Sequence, residues 1–318
     1  MRTWVFAEEI DGAPSGLALE MLTKAREISD EVAAVYLGAG SDEAFAALGA
    51  HGAATVYHLP AGDTLPAAPA AAALADLAAA HEPDLILFGL TYGERDVAGR
   101  LSARLDRAVL SNAVEIVPGD EGVTVVNEIL GGTVLVETVF ADDGPHIVVV
   151  RPKSFPAEPA GAASPEVVAV EMPDVGHAGA GTILESHSEA AEGPQLDEAA
   201  VVVGAGRGIG SVEKMGPVEE LAGLLGAAVG GTRAVVDAGW MPLSLQIGQT
   251  GKTIRPDVYF ALGVSGAMQH LVGMKDSGTI IAVNKDEEAP IFSVADLGIV
   301  GDVNQVVPKL VEALKSRG

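Results

Sequence analysis

Apolar positions along the chain alternate between two rhythms. Trp4 to Ala7 is a short apolar run, and Leu17, Met21, Leu22, Ala25 and Ile28 follow at helical spacing. Val32 to Leu37 is strand-like and ends in Gly38 and Gly40. An Ala-rich stretch from about Ala67 to Ala80, free of glycine, predicts a helix. Leu85 to Phe88 is a buried-type strand, and a helical pattern runs from Asp96 to Leu105. Such β-α-β-α order predicts a parallel sheet covered on both faces.

From Gly122 to Val150 the pattern changes to strands with short turns. Val134–Phe140 and His146–Val150 flank Asp142, Asp143, Gly144 and Pro145, a strong turn signal, so an antiparallel piece is expected to close a first domain. Residues 156–195 are rich in Pro, Gly, Ala and Glu and read as a peripheral tail, with Val167–Val170 as a candidate edge strand. The expected division is 1–193 and 194–318. Beyond it the α/β rhythm restarts. Ala200–Val203, Ala234–Val236, Val258–Leu262 and Thr279–Val283 read as strands. Val218, Leu221, Leu225 and Ala228 mark a helix with Pro217 in its first turn. Val303, Val306, Val307, Leu310, Val311 and Leu314 form the apolar stripe of a last helix, with Asp302 and Gln305 placed for a capping box. The fold class is therefore α/β: two domains with mainly parallel sheets flanked by helices.

Charge narrows the function. The 19 Lys and Arg face 44 Asp and Glu, a formal charge of −25. A nucleic-acid partner needs a basic footprint that this balance denies, and anionic membrane surfaces are disfavoured equally. The acidity fits either plain solubility, in an acidic or salty cytoplasm, or the steering of a basic partner. The absence of cysteine excludes disulfides, thiolate nucleophiles and iron–sulfur ligation. No stretch approaches the roughly 20 apolar residues of a membrane span, and Glu8 and Glu9 follow the first apolar run too soon for a signal peptide. A cytoplasmic location is expected.

Candidate chemistry concentrates in the second half. Gly204, Gly206, Gly208 and Gly210 follow a strand, where a bare backbone can approach a pyrophosphate. Their spacing is not G-x-G-x-x-G and serves a plain turn equally well. Gly251, Lys252 and Thr253 imitate the end of a P-loop, but Gln246 stands where that motif needs glycine. The polar loop of Gln246, Gln249 and Thr250 suits hydrogen bonding to a heteroaromatic ring, or is simply solvated. Ser265 and Gly266 sit at a strand-to-helix junction, with amides free for an anion, and His270 lies one turn further on. No nucleophile elbow, metal-spaced His pair or Ser-His-Asp arrangement is present, so no catalytic residue or metal ligand is assigned.

Six ordered blocks resemble the electron-transfer flavoprotein α subunit: Arg-Ala-Val-Val-Asp-Ala-Gly-Trp-Met-Pro at 233–242, Gln-Ile-Gly-Gln-Thr-Gly-Lys at 246–252, Gly-Val-Ser-Gly-Ala-Met-Gln-His at 263–270, and shorter ones at 282–286, 289–292 and 295–302. The likeness is strong over 200–318. It is looser over 1–190, through Leu87-Phe-Gly, Gly93 to Asp96, and Arg151-Pro152 with Phe155. The resemblance implies a Rossmann-like FAD-binding C-terminal domain and an N-terminal domain serving as interface to a β subunit. The heterodimer would carry electrons from acyl-CoA dehydrogenases, as in fatty acid β-oxidation, to a membrane quinone oxidoreductase. It implies a redox carrier rather than a self-contained enzyme. Alternatives are the α subunit of an electron-bifurcating flavoprotein using NADH, and a nucleotide-binding structural subunit without redox role.

By the same resemblance, Arg207 and its neighbouring glycines lie near the cofactor. Thr232 occupies a position where the family often has Ser, and Arg233 approaches the isoalloxazine ring. Ile247, Gly248, Gln249 and Thr250, with Ser265, Gly266, Ala267, Met268, Gln269 and His270, line flavin and pyrophosphate. Asn284, Asp302 and Val303 complete the contacts, Asn284 and Asp302 on the adenosine side. A guanidinium and a hydrogen-bonding His near the flavin N1–C2=O2 edge would stabilise added negative charge.

Overall fold

The computed structural model describes all residues except 63, 120, 121, 162, 163, 186–193, 197, 198, 317 and 318, and the burial of Gly131. Contacts divide the chain into two compact units, Met1–His187 and Ser188–Gly318. The expected linker end at 186–193 lies outside the described residues.

The first unit runs β1 (Arg2–Ile10), β2 (Ala13–Pro14), α1 (Gly16–Ile28), β3 (Glu31–Gly38), α2 (Asp42–Ala50), β4 (Thr55–Pro60), α3 (Ala67–His81), β5 (Leu85–Phe88), α4 (Tyr92–Leu105), β6 (Val109–Gly119), β7 (Gly122–Ile129), β8 (Val134–Val139), β9 (His146–Val150) and β10 (Glu166–Ala169). The sheet order is β10-β4-β3-β1-β5-β9-β6-β7-β8, with β2 paired to β1. Pairing is parallel from β10 to β6 and antiparallel across β6-β7-β8. One face buries Met21 and Leu22 of α1 and Leu48 of α2 against Val5 and Leu87. The other buries Leu74 of α3 and Val97 and Leu101 of α4 against Phe6 and Phe88. The alanines of α3 are mostly buried, and their small side chains let the helix lie close to the sheet and to α4.

The turn at Asp142–Pro145 does not make a hairpin of β8 and β9. Strand β9 instead runs parallel between β5 and β6. All five of its residues are buried, and a strand buried on both faces belongs in the middle of a covered sheet. The antiparallel piece is β6-β7-β8. The candidate edge strand does form, as β10 beside β4, with its bounds one residue earlier than the apolar run suggests.

The second unit runs β11 (Val201–Ala205), α5 (Gly216–Leu225), β12 (Ala228–Gly231), α6 (Arg233–Val236), β13 (Val258–Leu262), α7 (Met268–Leu271), β14 (Thr279–Asn284), β15 (Leu297–Val300) and α8 (Val303–Lys315). All strands are parallel, in the order β12-β11-β13-β14-β15. Helices α5 and α8 pack Val218, Leu221, Val307 and Val311 on one face. Tyr259, Ile280 and Ile291 fill the other. Three expectations change here. Ala234–Val236 is a helical turn, not a strand: the amides of Val235 and Val236 both donate to the Thr232 carbonyl. Ala228 opens β12 rather than ending α5, because Gly226 adopts the left-handed conformation that stops the helix. Asp302 caps α8, but its carboxylate accepts from the Asn304 amide (2.9 Å), and among the described residues no hydrogen bond runs from the Asp302 amide to the Gln305 side chain to complete a capping box.

Candidate functional site

Strand order 2-1-3-4-5 reverses direction between β11 and β13. In such sheets a crevice opens at the carboxyl ends of the strands at that switch point. The second unit has a cleft of about 790 Å³ there, within the roughly 300–1,000 Å³ range of small-molecule sites. Its walls come from the ends of four strands: Gly206, Arg207 and Gly208 after β11, Thr232 and Arg233 after β12, Gly263 and Ser265 after β13, and Asn284, Lys285 and Asp286 from β14 onward.

Each wall has a local reason for its shape. A Cβ on Gly206 would run into the Gly263 carbonyl, so the β11 and β13 loops touch backbone to backbone. The Gly208 amide donates to the same carbonyl at 2.9 Å. Gly266 adopts φ +83° against the backbone of Ile291, leaving no room for a side chain. Among the described residues the amides of Ser265, Gly266 and Ala267 donate to no backbone acceptor, so this turn holds unspent donors suited to an anion.

The loop 246–252 forms a third wall and is tied down at several points. The Ile247 amide donates to the Gly231 carbonyl (2.9 Å), Gln249 to Gln269 (2.7 Å) and Lys252 to Gln246 (2.7 Å). Behind the loop, His270 is buried. A carbonyl can only accept, so Nδ1–H donates to the Ile247 carbonyl (3.1 Å), and Nε2 accepts from the Tyr259 hydroxyl (2.9 Å). Burial pushes the imidazole down to about 4, against the opposing pull of the Ile247 carbonyl. His270 is therefore neutral at pH 7, with both nitrogens engaged inside the protein. The hydrogen bond expected from it toward a ligand has no unclaimed donor in this arrangement.

Twelve of the sixteen expected contact residues share this cleft: Arg207, Thr232, Arg233, Ile247, Gly248, Gln249, Thr250, Ser265, Ala267, Gln269, His270 and Asn284. Gly266 shapes the turn without lining the cleft. Met268 is half exposed on α7, Asp302 caps α8 and Val303 is buried at the start of that helix. Arg233 is largely exposed and pairs with Asp237, 3.4 Å away, which also lines the cleft. The motif reading passed over Ala234, Asp237, Lys285, Asp286, Ala289 and Pro290 as cleft residues. Lys285 and Asp286 follow β14 directly, so the rule that ligands sit at strand carboxyl ends would have found them.

Residues 3–175 match the family model of the electron transfer flavoprotein domain, and residues 195–275 that of the electron transfer flavoprotein FAD-binding domain. The chain belongs to the electron transfer flavoprotein family. It is similar to electron transfer flavoprotein subunit alpha of Mycobacterium tuberculosis (strain ATCC 25618 / H37Rv), 43% identical over 317 residues and 98% of each chain. The same subunit of Mycobacterium leprae is 40% identical over 316 residues, again 98% of each. That of Clostridium acetobutylicum is 37% identical over 330 residues, covering 98% of this chain and 96% of that protein. FAD is the cofactor of the flavoprotein's matched second domain. The cleft fits FAD: it offers unspent amides and Arg207 for a pyrophosphate and a polar loop at 246–250 for a ring. Among the described residues no group of His, Asp or Glu is arranged to hold a metal ion.

Proposed function

We propose that this chain is the FAD-holding half of a heterodimeric electron carrier, receiving electrons from acyl-CoA-type dehydrogenases and passing them toward a quinone oxidoreductase. The switch-point cleft in the FAD-binding unit carries this reading. FAD supplies reversible one- and two-electron chemistry. The protein supplies Arg207 and the amides of Ser265 and Ala267 for the pyrophosphate, Arg233 and the 246–250 loop for the ring, and Asn284 for the adenosine side. The carrier works in the cytoplasm; among the described residues no helix is long and apolar enough to cross a membrane. The β subunit docks on the first unit, since every residue lining the cleft belongs to the second.

Two measurements test this. Co-expression with a β-type partner should give a yellow 1:1 complex more stable than either chain, and an α chain that holds FAD alone and ignores its partner would refute the assembly. Because the amides grip a pyrophosphate, FMN should bind far more weakly than FAD. Similar dissociation constants for the two flavins would contradict the placement.

A further inference from the structure

Gln246 is buried at the foot of the cleft, and its side-chain amide donates to the Thr250 hydroxyl oxygen at 2.9 Å. A hydroxyl has one hydrogen to donate and two lone pairs. With the Gln246 N–H on one lone pair, the Thr250 hydrogen is unspent, and no acceptor among the described residues takes it. The Thr250 amide is unspent too, whereas the amides of residues 247, 248, 249, 251 and 252 all donate within the protein. Thr250 thus offers the cleft two donors, and its hydroxyl is polarised outward by a neighbour that cannot itself reach solvent freely.

We propose that Gln246 is a positioning residue: it fixes Thr250 as a hydrogen-bond donor toward the flavin ring and so raises the flavin's reduction potential. This rests on the reading that the cleft holds FAD with its ring beside the 246–250 loop. The sign follows from charge. Added electrons enrich the ring's acceptor atoms, so a donor aimed at them favours the reduced form. The direction of the Gln246 bond matters more than its presence. An acceptor in its place would take the Thr250 hydrogen and turn the hydroxyl's lone pairs on the ring.

Gln246→Glu makes that reversal with almost no change of shape, and Gln246→Met removes the bond. Potentiometric titration of FAD in the purified heterodimer should show a negative shift for Gln246→Glu. The expected size is at least tenfold in the reduced-to-oxidised ratio, about 30 mV for a two-electron couple. Gln246→Met should give a smaller shift. Lowering the pH until the introduced carboxyl protonates should return the Gln246→Glu potential toward that of the wild type at the same pH. In a Thr250→Val background Gln246→Met should shift the potential no further, and Gln246→Glu should keep only the smaller part that its charge exerts through space. Potentials within error of wild type, or shifts that persist unchanged with Thr250→Val, would overturn the inference. If Gln246→Glu does not accumulate folded, Gln246→Met with and without Thr250→Val decides it by the same criterion. Gly266→Ala separates the two levels. It disturbs the turn against Ile291 and leaves the Gln246–Thr250 pair intact, so it should lower FAD affinity. If it does not, the cleft reading fails and this inference with it; if it does and the Gln246 variants are silent, only this inference falls.

Discussion

Glu94 lies in the first turn of α4 with its side chain wholly inside the first unit, and neither carboxyl oxygen has a well-formed hydrogen bond. Burial first, then the charge of Glu8, pushes the carboxyl up to about 8. The unfolded chain releases this proton near the ordinary 4.5, so it holds fewer protons than the folded chain at higher pH. Stability from this group is full below about 4.5 and is lost as pH rises toward 8. By linkage the loss is roughly 3 kcal/mol at pH 7. Glu94→Gln should therefore stabilise the first unit at pH 7–8 and change little at pH 4, and parallel urea midpoints across that range would show the carboxyl to be well accommodated. Arg233 is the second residue to test. Its exposed pair with Asp237 is weak and leaves the guanidinium able to face a ligand. A hydrogen bond to a charged group contributes roughly 1.5–3 kcal/mol. For one electron, at about 59 mV per tenfold, Arg233→Ala should lower the potential by about 65–130 mV. Arg233→Lys should recover only part of this, lacking the planar fork. If Arg233 served only Asp237, both potentials would equal that of wild type.

Helix α8 begins on Asp302, whose carboxylate the Asn304 backbone amide, then its side chain, holds below the usual range. Asp302→Ala should lower the thermal midpoint of the second unit by a few degrees, while Asp302→Asn keeps the cap and the midpoint. If Asp302 also meets the adenosine, both variants lose FAD affinity, and equal affinities would reduce it to a cap. The α8 stripe was legible because it is local: Val303, Val307 and Val311 recur every turn and are all buried. The first βαβ repeats were legible for the same reason. Elements that escaped are short or depend on distant partners. Helix α2 and strands β4 and β15 are four to nine residues long and carry no strong periodicity. The turn before β9 is a real turn, yet pairing is decided by β5 and β6, far off in sequence. The site divides likewise. Glycines after β11 and the 246–252 loop stand out in the sequence, because close backbone approach leaves a compositional trace. The Tyr259–His270 and Gln246–Thr250 bonds leave none, since donor direction is set only once the loop packs.

At the scale of the whole molecule the formal charge of −25 is the dominant feature. Many of its few cations are tied to carboxylates: Lys24 to Glu115, Arg100 to Asp96, Arg151 to Glu128, Lys153 to Glu20 and Lys315 to Glu220. Acids are more than twice as numerous as bases, and their uncompensated excess therefore sets the outer field. A field of one sign acts on encounter rates before any contact forms, and steering can raise association from about 10⁵–10⁶ toward 10⁸ M⁻¹ s⁻¹ or more at low salt. It is screened over about 10 Å at 0.1 M ionic strength. If redox partners present basic faces, association should slow by tenfold or more between about 0.01 and 0.5 M salt, with little change in the dissociation rate. Stopped-flow reduction of the heterodimer by a dehydrogenase partner, followed at the flavin absorbance over a salt series, reads this directly. A flat profile would mean that the acidity serves solubility alone. Arg233→Ala provides the internal control: it should move the potential while leaving the salt slope unchanged, because one exposed cation among so many acids barely alters the long-range field.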